Sequence, residues 1–251
     1  MPRIFRRILA ACILLFLMHP AVAQKKVTHQ GNYWVKYFGK YAFSPKWGAT
    51  LEVEDRRFFR NNRQANWMLP RVAVNRSLGS GWGVAAGFTY YTSANPSDPD
   101  SKILVTVPEL RPHQDVSYSQ KIKRLTIAHR YRLEERFRHK ATADELTPGY
   151  QFSLRARYRL ALQYPLIQKD EAAGALKLKV SDEVMLNLGH AIVNNFFDQN
   201  RLYVGMNYGI SPSVQAELGY VNSFQQKKTG YDYVDRDVIR LTVYHTLKFF
   251  R

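Results

Sequence analysis

An alternation of polar and apolar residues with period two constrains this chain more than any other feature. In "YQFSLRARYRLALQYPL", Tyr150, Phe152, Leu154, Ala156, Tyr158, Leu160, Leu162 and Tyr164 fall on one face. Gln151, Ser153, Arg155, Arg157, Arg159, Ala161 and Gln163 fall on the other. A strand sends successive side chains to opposite faces, so the segment has one apolar and one strongly polar side. A helix would scatter both sets around its circumference. The pattern recurs in "WGATLEVE", "WGVAAGFTYY", "RLYVGMNY" and "VIRLTVYHTLKFF".

About eleven such segments are counted by this test. They cover 33–43, 47–60, 67–78, 82–95, 111–119, 123–138, 150–166, 176–189, 199–211, 213–226 and 235–250. Short connections ("SPK", "GSG", "QKIK", "ISPS") alternate with longer ones ("NNRQAN", "SANPSDPDSKILVTVPEL", "HKATADELTPG", "GHAIVNNFFD"). Many segments exceed the usual soluble strand of about five or six residues. They match the roughly nine to eleven that a tilted strand needs to cross a bilayer.

The N-terminus reads as a secretory signal. Arg3, Arg6 and Arg7 precede the apolar run Ile8 to Met18, His19 and Pro20 end it, and Ala21-Val22-Ala23 offers small cleavage subsites. Cleavage is expected before Gln24, which makes residues 1–23 the signal and 24–251 one domain. "LAAC" at Leu9 to Cys12 resembles a lipobox, but most of the apolar run follows that cysteine. Cys12 is the single cysteine, so the exported chain has no disulfide framework, no cysteine-based zinc site and no thiol nucleophile. No apolar run after Gln24 is long enough for a transmembrane helix.

These observations predict an all-β transmembrane antiparallel up-and-down barrel in the outer membrane of a Gram-negative bacterium. Trp47 and Trp82 follow short turns, where an interfacial aromatic girdle would lie. The competing fold is a soluble sandwich or lipocalin-like barrel, with the apolar face turned inward. Single-chain bacterial barrels usually have an even strand count. About twelve strands are therefore expected (10–12), with "KILVTV" (102–107) as the extra strand, or else residues 24–31 running through or along the barrel.

The polar faces carry the charge. Arg130, Arg132, Glu134 and Arg136 share one side of "HRYRLEERFR", and the next segment adds Arg155, Arg157 and Arg159. Lys177, Lys179, Glu183, Arg201, Glu217 and Arg240 follow, and Glu52, Glu54 and Arg71 come from the N-terminal segments. In a membrane barrel these face the lumen. On one account arginine and glutamate there form a wall of interlocking pairs that fills and stiffens the barrel. On the other a basic surface attracts anions into a pore or pocket, because the guanidinium fork bonds carboxylate and phosphate in two places. The surplus of bases over acids argues for the second. The net charge is +17 for the full sequence, and loss of Arg3, Arg6 and Arg7 with the signal leaves +14 on the exported chain, which points to anionic lipid, polysaccharide or solutes.

Catalysis has less support. His129 and His245 fall on apolar faces, whereas Ser153 and Ser181 lie on polar ones, so no Ser–His–acid constellation forms. The adjacent Glu134 and Glu135 point to opposite faces. "DPD" (98–100) and "DYVDRD" (232–237) lack a spaced calcium-ligand set and read as solvated loops. No metal and no cofactor are implied. Bases that alternate with lipid-type side chains do not make a nucleic-acid surface.

Several stretches resemble an uncharacterised family of Gram-negative outer-membrane barrel proteins, known only as a domain of unknown function. They are "RPHQD" (111–115), "HRYRLEERF" (129–137), "RARYRLALQYPL" (155–166), "DEVMLN" (182–187), "FDQNRLYVGMNY" (197–208) and "AELGYVN" (216–222). The resemblance implies fold and location and brings no activity. The expected role is a small channel or binding scaffold for anionic solutes. Outer-membrane lipid and the barrel-assembly machinery are the expected partners. A membrane-embedded lipid hydrolase and a purely structural barrel are the alternatives.

Overall fold

Eleven strands close into one barrel in the computed structural model, which describes residues 26–103, 105–169 and 172–250. They are β1 (Val27–Ala42), β2 (Trp47–Phe58), β3 (Gln64–Gly79), β4 (Trp82–Asn95), β5 (Val105–Ile122), β6 (Leu125–Ala141), β7 (Leu146–Ile167), β8 (Leu176–Leu188), β9 (Phe197–Gly209), β10 (Val214–Gln226) and β11 (Tyr233–Lys248). One short 3-10 turn, Gly189–Ala191, interrupts the connection after β8. The expected signal peptide, residues 1–23 with Cys12, lies outside the described residues.

Each strand pairs antiparallel with the next, and β1 closes on β11 in parallel, with Val27 opposite Tyr233 and Ala42 opposite Lys248. The parallel seam follows from the count. In an up-and-down chain all odd-numbered strands point the same way, so a first and eleventh strand can meet only in parallel. The count of eleven lies within the expected range but departs from the favoured twelve. Val105–Val107 of "KILVTV" open β5 instead of forming a strand of their own, and Val27–Gly31 sit in the wall as the start of β1. The even-count rule places both termini at one mouth; here Val27 and Lys248 lie at opposite mouths.

Short connections (43–46, 80–81, 123–124, 210–213) gather at one end, the turn mouth, with the end of β7, the start of β8 and the C-terminal end of β11. The connections 59–63, 96–103, 142–145, 189–196 and 227–232 gather at the loop mouth. The loop expected in "HKATADELTPG" is mostly strand, since β6 runs to Ala141 and β7 begins at Leu146. Asp235 and Asp237, which fall both in the loop reading of "DYVDRD" and in the expected segment 235–250, belong to β11. The β3–β4 turn needs its glycine: Gly81 has φ +84, and a Cβ there would meet the Ser119 carbonyl oxygen at 2.1 Å.

The pairing register climbs as it goes round. From Trp47 it passes through Arg76, Val84, Val116, Tyr131, Tyr158, Val184, Asn200, Phe224 and Asp235, and reaches β1 at His29. The residue that faces Trp47 across the first turn is Phe43. That displacement along β1, from the turn mouth to the loop mouth, is the stagger that strands tilted by about 35–45° impose on a closed barrel.

The two faces of this wall are inverted relative to a soluble protein. Glu52, Glu54, Glu109, Arg132, Glu134, Arg155, Arg157, Glu183 and Glu217 are buried inside. Val74, Tyr131, Leu202, Met206 and Leu218 stand exposed outside. A small apolar cluster of Trp34, Tyr203, Val221 and Val238 lines part of the interior on β1 and β9–β11.

Candidate functional site

The register sets the electrostatic problem of the interior. Across β6 and β7, Arg130 faces Arg159, Arg132 faces Arg157 and Glu134 faces Arg155. Like charges directly opposite are destabilising, so two of these three pairs need acids from elsewhere. The neighbouring strands supply them. Glu183 on β8 takes Arg130 at 2.5 Å on one oxygen and Arg157 at 2.8 Å on the other. Glu134, 1% exposed, accepts from Arg155 and Arg157 at 2.5 Å each. Asp198 on β9 receives Arg155 at 2.9 Å. Asp115 on β5 takes Arg132 in a bidentate pair at 2.6 and 2.7 Å. Glu109 accepts from Arg111 at 2.7 Å and from Arg136 at 2.5 Å. Contacts such as Arg130–Glu183 skip a strand, which requires both side chains to point into the barrel.

Two smaller clusters complete the wall. Glu217 accepts from Lys179 at 2.6 Å, Tyr203 at 2.8 Å, Arg240 at 3.1 Å and Tyr244 at 3.2 Å. Glu52 pairs with Lys36 at 2.5 Å and Arg71 at 3.5 Å, and Glu54 pairs with Arg56 at 2.5 Å. Arg56 lies 4.0 Å over the Trp34 ring and Arg111 lies 3.7 Å over Tyr91. Such contacts hold a guanidinium in place without neutralising it.

A cavity of about 1080 Å³ runs inside this wall. Its lining reaches from Thr126 and Gln163 near the turn mouth to Ser97 and Lys228 of the loops. Basic side chains in the lining outnumber acidic ones. Arg159 and Arg201 line it and form no ion pair among the described residues. At the loop mouth the Lys228 ammonium is held below the ordinary lysine range by burial and by the nearby Arg138 and Arg136.

The structure thus gathers Arg130, Arg132, Glu134, Arg136, Arg155, Arg157 and Glu183 into one network and puts Glu217 with Arg240 in another. Arg159 and Arg201 stay outside both. Lys177 forms no ion pair among the described residues. Trp47 and Trp82 stand exposed at the turn mouth, Trp47 under Arg76 at 5.1 Å and Trp82 against Tyr118 at 4.8 Å. His129 and His245 face outward, each bonded through Nδ1 to a tyrosine hydroxyl, Tyr158 at 2.9 Å and Tyr37 at 3.1 Å. Ser153 and Ser181 line the cavity. Asp100 of "DPD" pairs with Arg60 at 2.8 Å.

Several residues escape a sequence reading. Glu109 and Asp198 sit just outside the segments expected as strands, yet each is an acid of the network. Their signal is parity: Glu109 continues the inward alternation of Arg111, His113 and Asp115. His113 is fully buried with neither ring nitrogen hydrogen-bonded. It faces Gly87 across β4–β5, where a Cβ would meet its ring at 2.8 Å.

The chain belongs to the family described as "Protein of unknown function (DUF2490)", whose model matches residues 31–234. Among solved structures it is similar to the NanC porin in a rhombohedral crystal form, at 14% identity and a TM-score of 0.51. That likeness covers 86% of this chain and 97% of that one, and it shows the fold. No curated protein matches the chain.

Proposed function

We propose that this member of a family without assigned activity is an outer-membrane barrel that admits anionic solutes through its lumen. The observation that carries the reading is the excess of basic over acidic side chains lining the cavity between the two mouths. Cations lining a narrow passage raise the local concentration of anions and repel cations. The membrane assignment is supported by the inverted wall: charge inside, large apolar side chains outside, and tryptophans at one rim. A soluble protein does not expose so continuous an apolar surface. The NanC likeness supports a porin-like architecture and nothing finer. Export by a cleaved signal and insertion by the barrel-assembly machinery belong to the same reading.

We assign no catalysis. The outward histidines are bonded to tyrosines, and the serines expected on the polar faces lie in the cavity, away from lipid. The test is the reversal potential of the purified protein in a planar bilayer under a KCl gradient. Anion preference is expected. A closed barrel would favour the structural alternative, and cation preference would overturn the reading.

A further inference from the structure

We infer that anions cross this barrel along one climbing row of arginines, Arg159, Arg201 and Arg236, and that the row selects oxyanions of the carboxylate or phosphate type. This inference rests on the anion-channel reading above.

The row is written in the pairing register. Arg159 faces Glu183, Glu183 faces Arg201, Arg201 faces Ser223, Ser223 faces Arg236, and Arg236 faces Gln30. The first five of these side chains line the cavity. The line runs perpendicular to the strands. Because the strands are tilted, it rises through the barrel, from Arg159 on β7 toward Arg236 near the loop-mouth end of β11. Successive arginines are two strands apart, about 10 Å at the backbone. A long side chain spans half of that, so a bound group can pass from one guanidinium to the next.

These arginines share with Arg138, off the row, the lack of an ion pair among the described residues, and the register sets them apart by placing them in one line. None of the three forms an ion pair among the described residues, whereas the arginines of the β5–β9 network each hold a carboxylate. Arg236 donates to the neutral oxygens of Gln30, Gln225 and Ser97. Arg201 donates to Gln199 at 3.2 Å, and its Nε is buried without a partner. The one acid of the row, Glu183, commits both oxygens to Arg130 and Arg157. Arg201 and Arg236 are therefore cations positioned by neutral partners that an incoming anion can replace, and Arg159 holds no carboxylate among the described residues that would compete. Conduction needs sites of this kind, strong enough to enter and numerous enough to leave. The planar fork suits a carboxylate or phosphate better than a spherical halide.

The experiment is single-channel recording of the full-length mature protein, with inorganic phosphate as the probe. In the wild type, added phosphate should slow the chloride current. Arg159→Gln, Arg201→Gln and Arg236→Gln should each lower the anion-to-cation permeability ratio several-fold and relieve the phosphate effect. Arg201→Lys should keep the chloride preference and lose the phosphate effect. Arg138→Gln removes the same charge from the cavity off the row and should produce a smaller shift. Heat-modifiable gel mobility confirms that each variant is folded. Equal shifts for Arg138→Gln and Arg201→Gln would overturn the row while leaving an anion pore standing. A wild-type current indifferent to phosphate would overturn the oxyanion class. A wild type without anion preference would sink the channel reading itself.

Discussion

Glu134→Gln tests whether the interior is held by charge. The carboxylate is 1% exposed and accepts three hydrogen bonds of 2.9 Å or less from Arg155 and Arg157, with Arg132 at 3.8 Å. Glutamine has nearly the same shape, so the change removes charge without opening a cavity. Breaking a buried pair by deleting one partner typically costs roughly 3–5 kcal/mol. Arg155 keeps Asp198 and Arg157 keeps Glu183, which places the expected loss at the low end, about 3 kcal/mol. The assay is equilibrium urea unfolding from lipid vesicles. A cycle with Arg155→Gln should return a coupling energy within the roughly 0.5–3 kcal/mol of contacting residues. A loss below about 1 kcal/mol, in the range of an exposed ion pair, would mean that water in the lumen already solvates these arginines. The network would then be decoration.

Three further outcomes are expected. Leu218→Arg places a charge on the exposed outer face of β10 and should cost about 2–4 kcal/mol if that face meets lipid near the midplane; a soluble barrel would lose less than about 0.5 kcal/mol, which the same unfolding assay resolves. Asn61→Cys at the loop mouth should react with a membrane-impermeant maleimide on intact cells and Lys46→Cys at the turn mouth should not, a clean experiment because the expected mature chain has no cysteine. Gly87→Ala should lower the urea midpoint, because its Cβ would meet the Val72 carbonyl oxygen at 2.3 Å and the His113 ring at 2.8 Å; an unchanged midpoint would show that the β3–β5 wall yields there.

The strands were legible because a two-sided wall imposes a strict period. Where one face is packed with charge and the other with apolar side chains, a slip of one residue exchanges the faces, so parity survives almost everywhere between Val27 and Lys248. It blurs where strands outrun the apolar belt. Toward the loop mouth, outward positions turn polar: Asp235 bonds Asn222, and Tyr220 bonds Asp237. There the contrast between faces fades, and that is why β1, β5, β6 and β7 extend beyond their expected spans. The preference for twelve over eleven, within the expected range, went astray for a different reason. Evenness is a habit of barrels whose termini share a mouth, and nothing in local alternation encodes which mouth a terminus occupies. That information resides in the pairing of Val27 with Tyr233, two segments at opposite ends of the chain.

The site was legible by residue type and opaque by partner. Parity placed Arg130, Arg132, Glu134 and Arg136 on the inner face, and the stagger then decided whom they meet. Because the register climbs as it goes round, the acids that answer β6 and β7 are not opposite them: Arg130 reaches past β7 to Glu183, and Arg155 reaches past β8 to Asp198. The same climb separates two kinds of arginine that look alike in sequence. Arg157 and Arg159 are two residues apart on one strand face, yet Arg157 holds two carboxylates and Arg159 forms no ion pair among the described residues. Glu183 explains the difference. It faces Arg159 directly, but its oxygens turn to Arg130 and Arg157, and so the nearest acid to Arg159 is already neutralised. A wall that only needed stiffness would gain by placing a further acid at Ser223, between Arg201 and Arg236. A hydroxyl there leaves both guanidiniums bonded to neutral partners and, among the described residues, free of any carboxylate, as the proposed passage for anions requires and a plug does not.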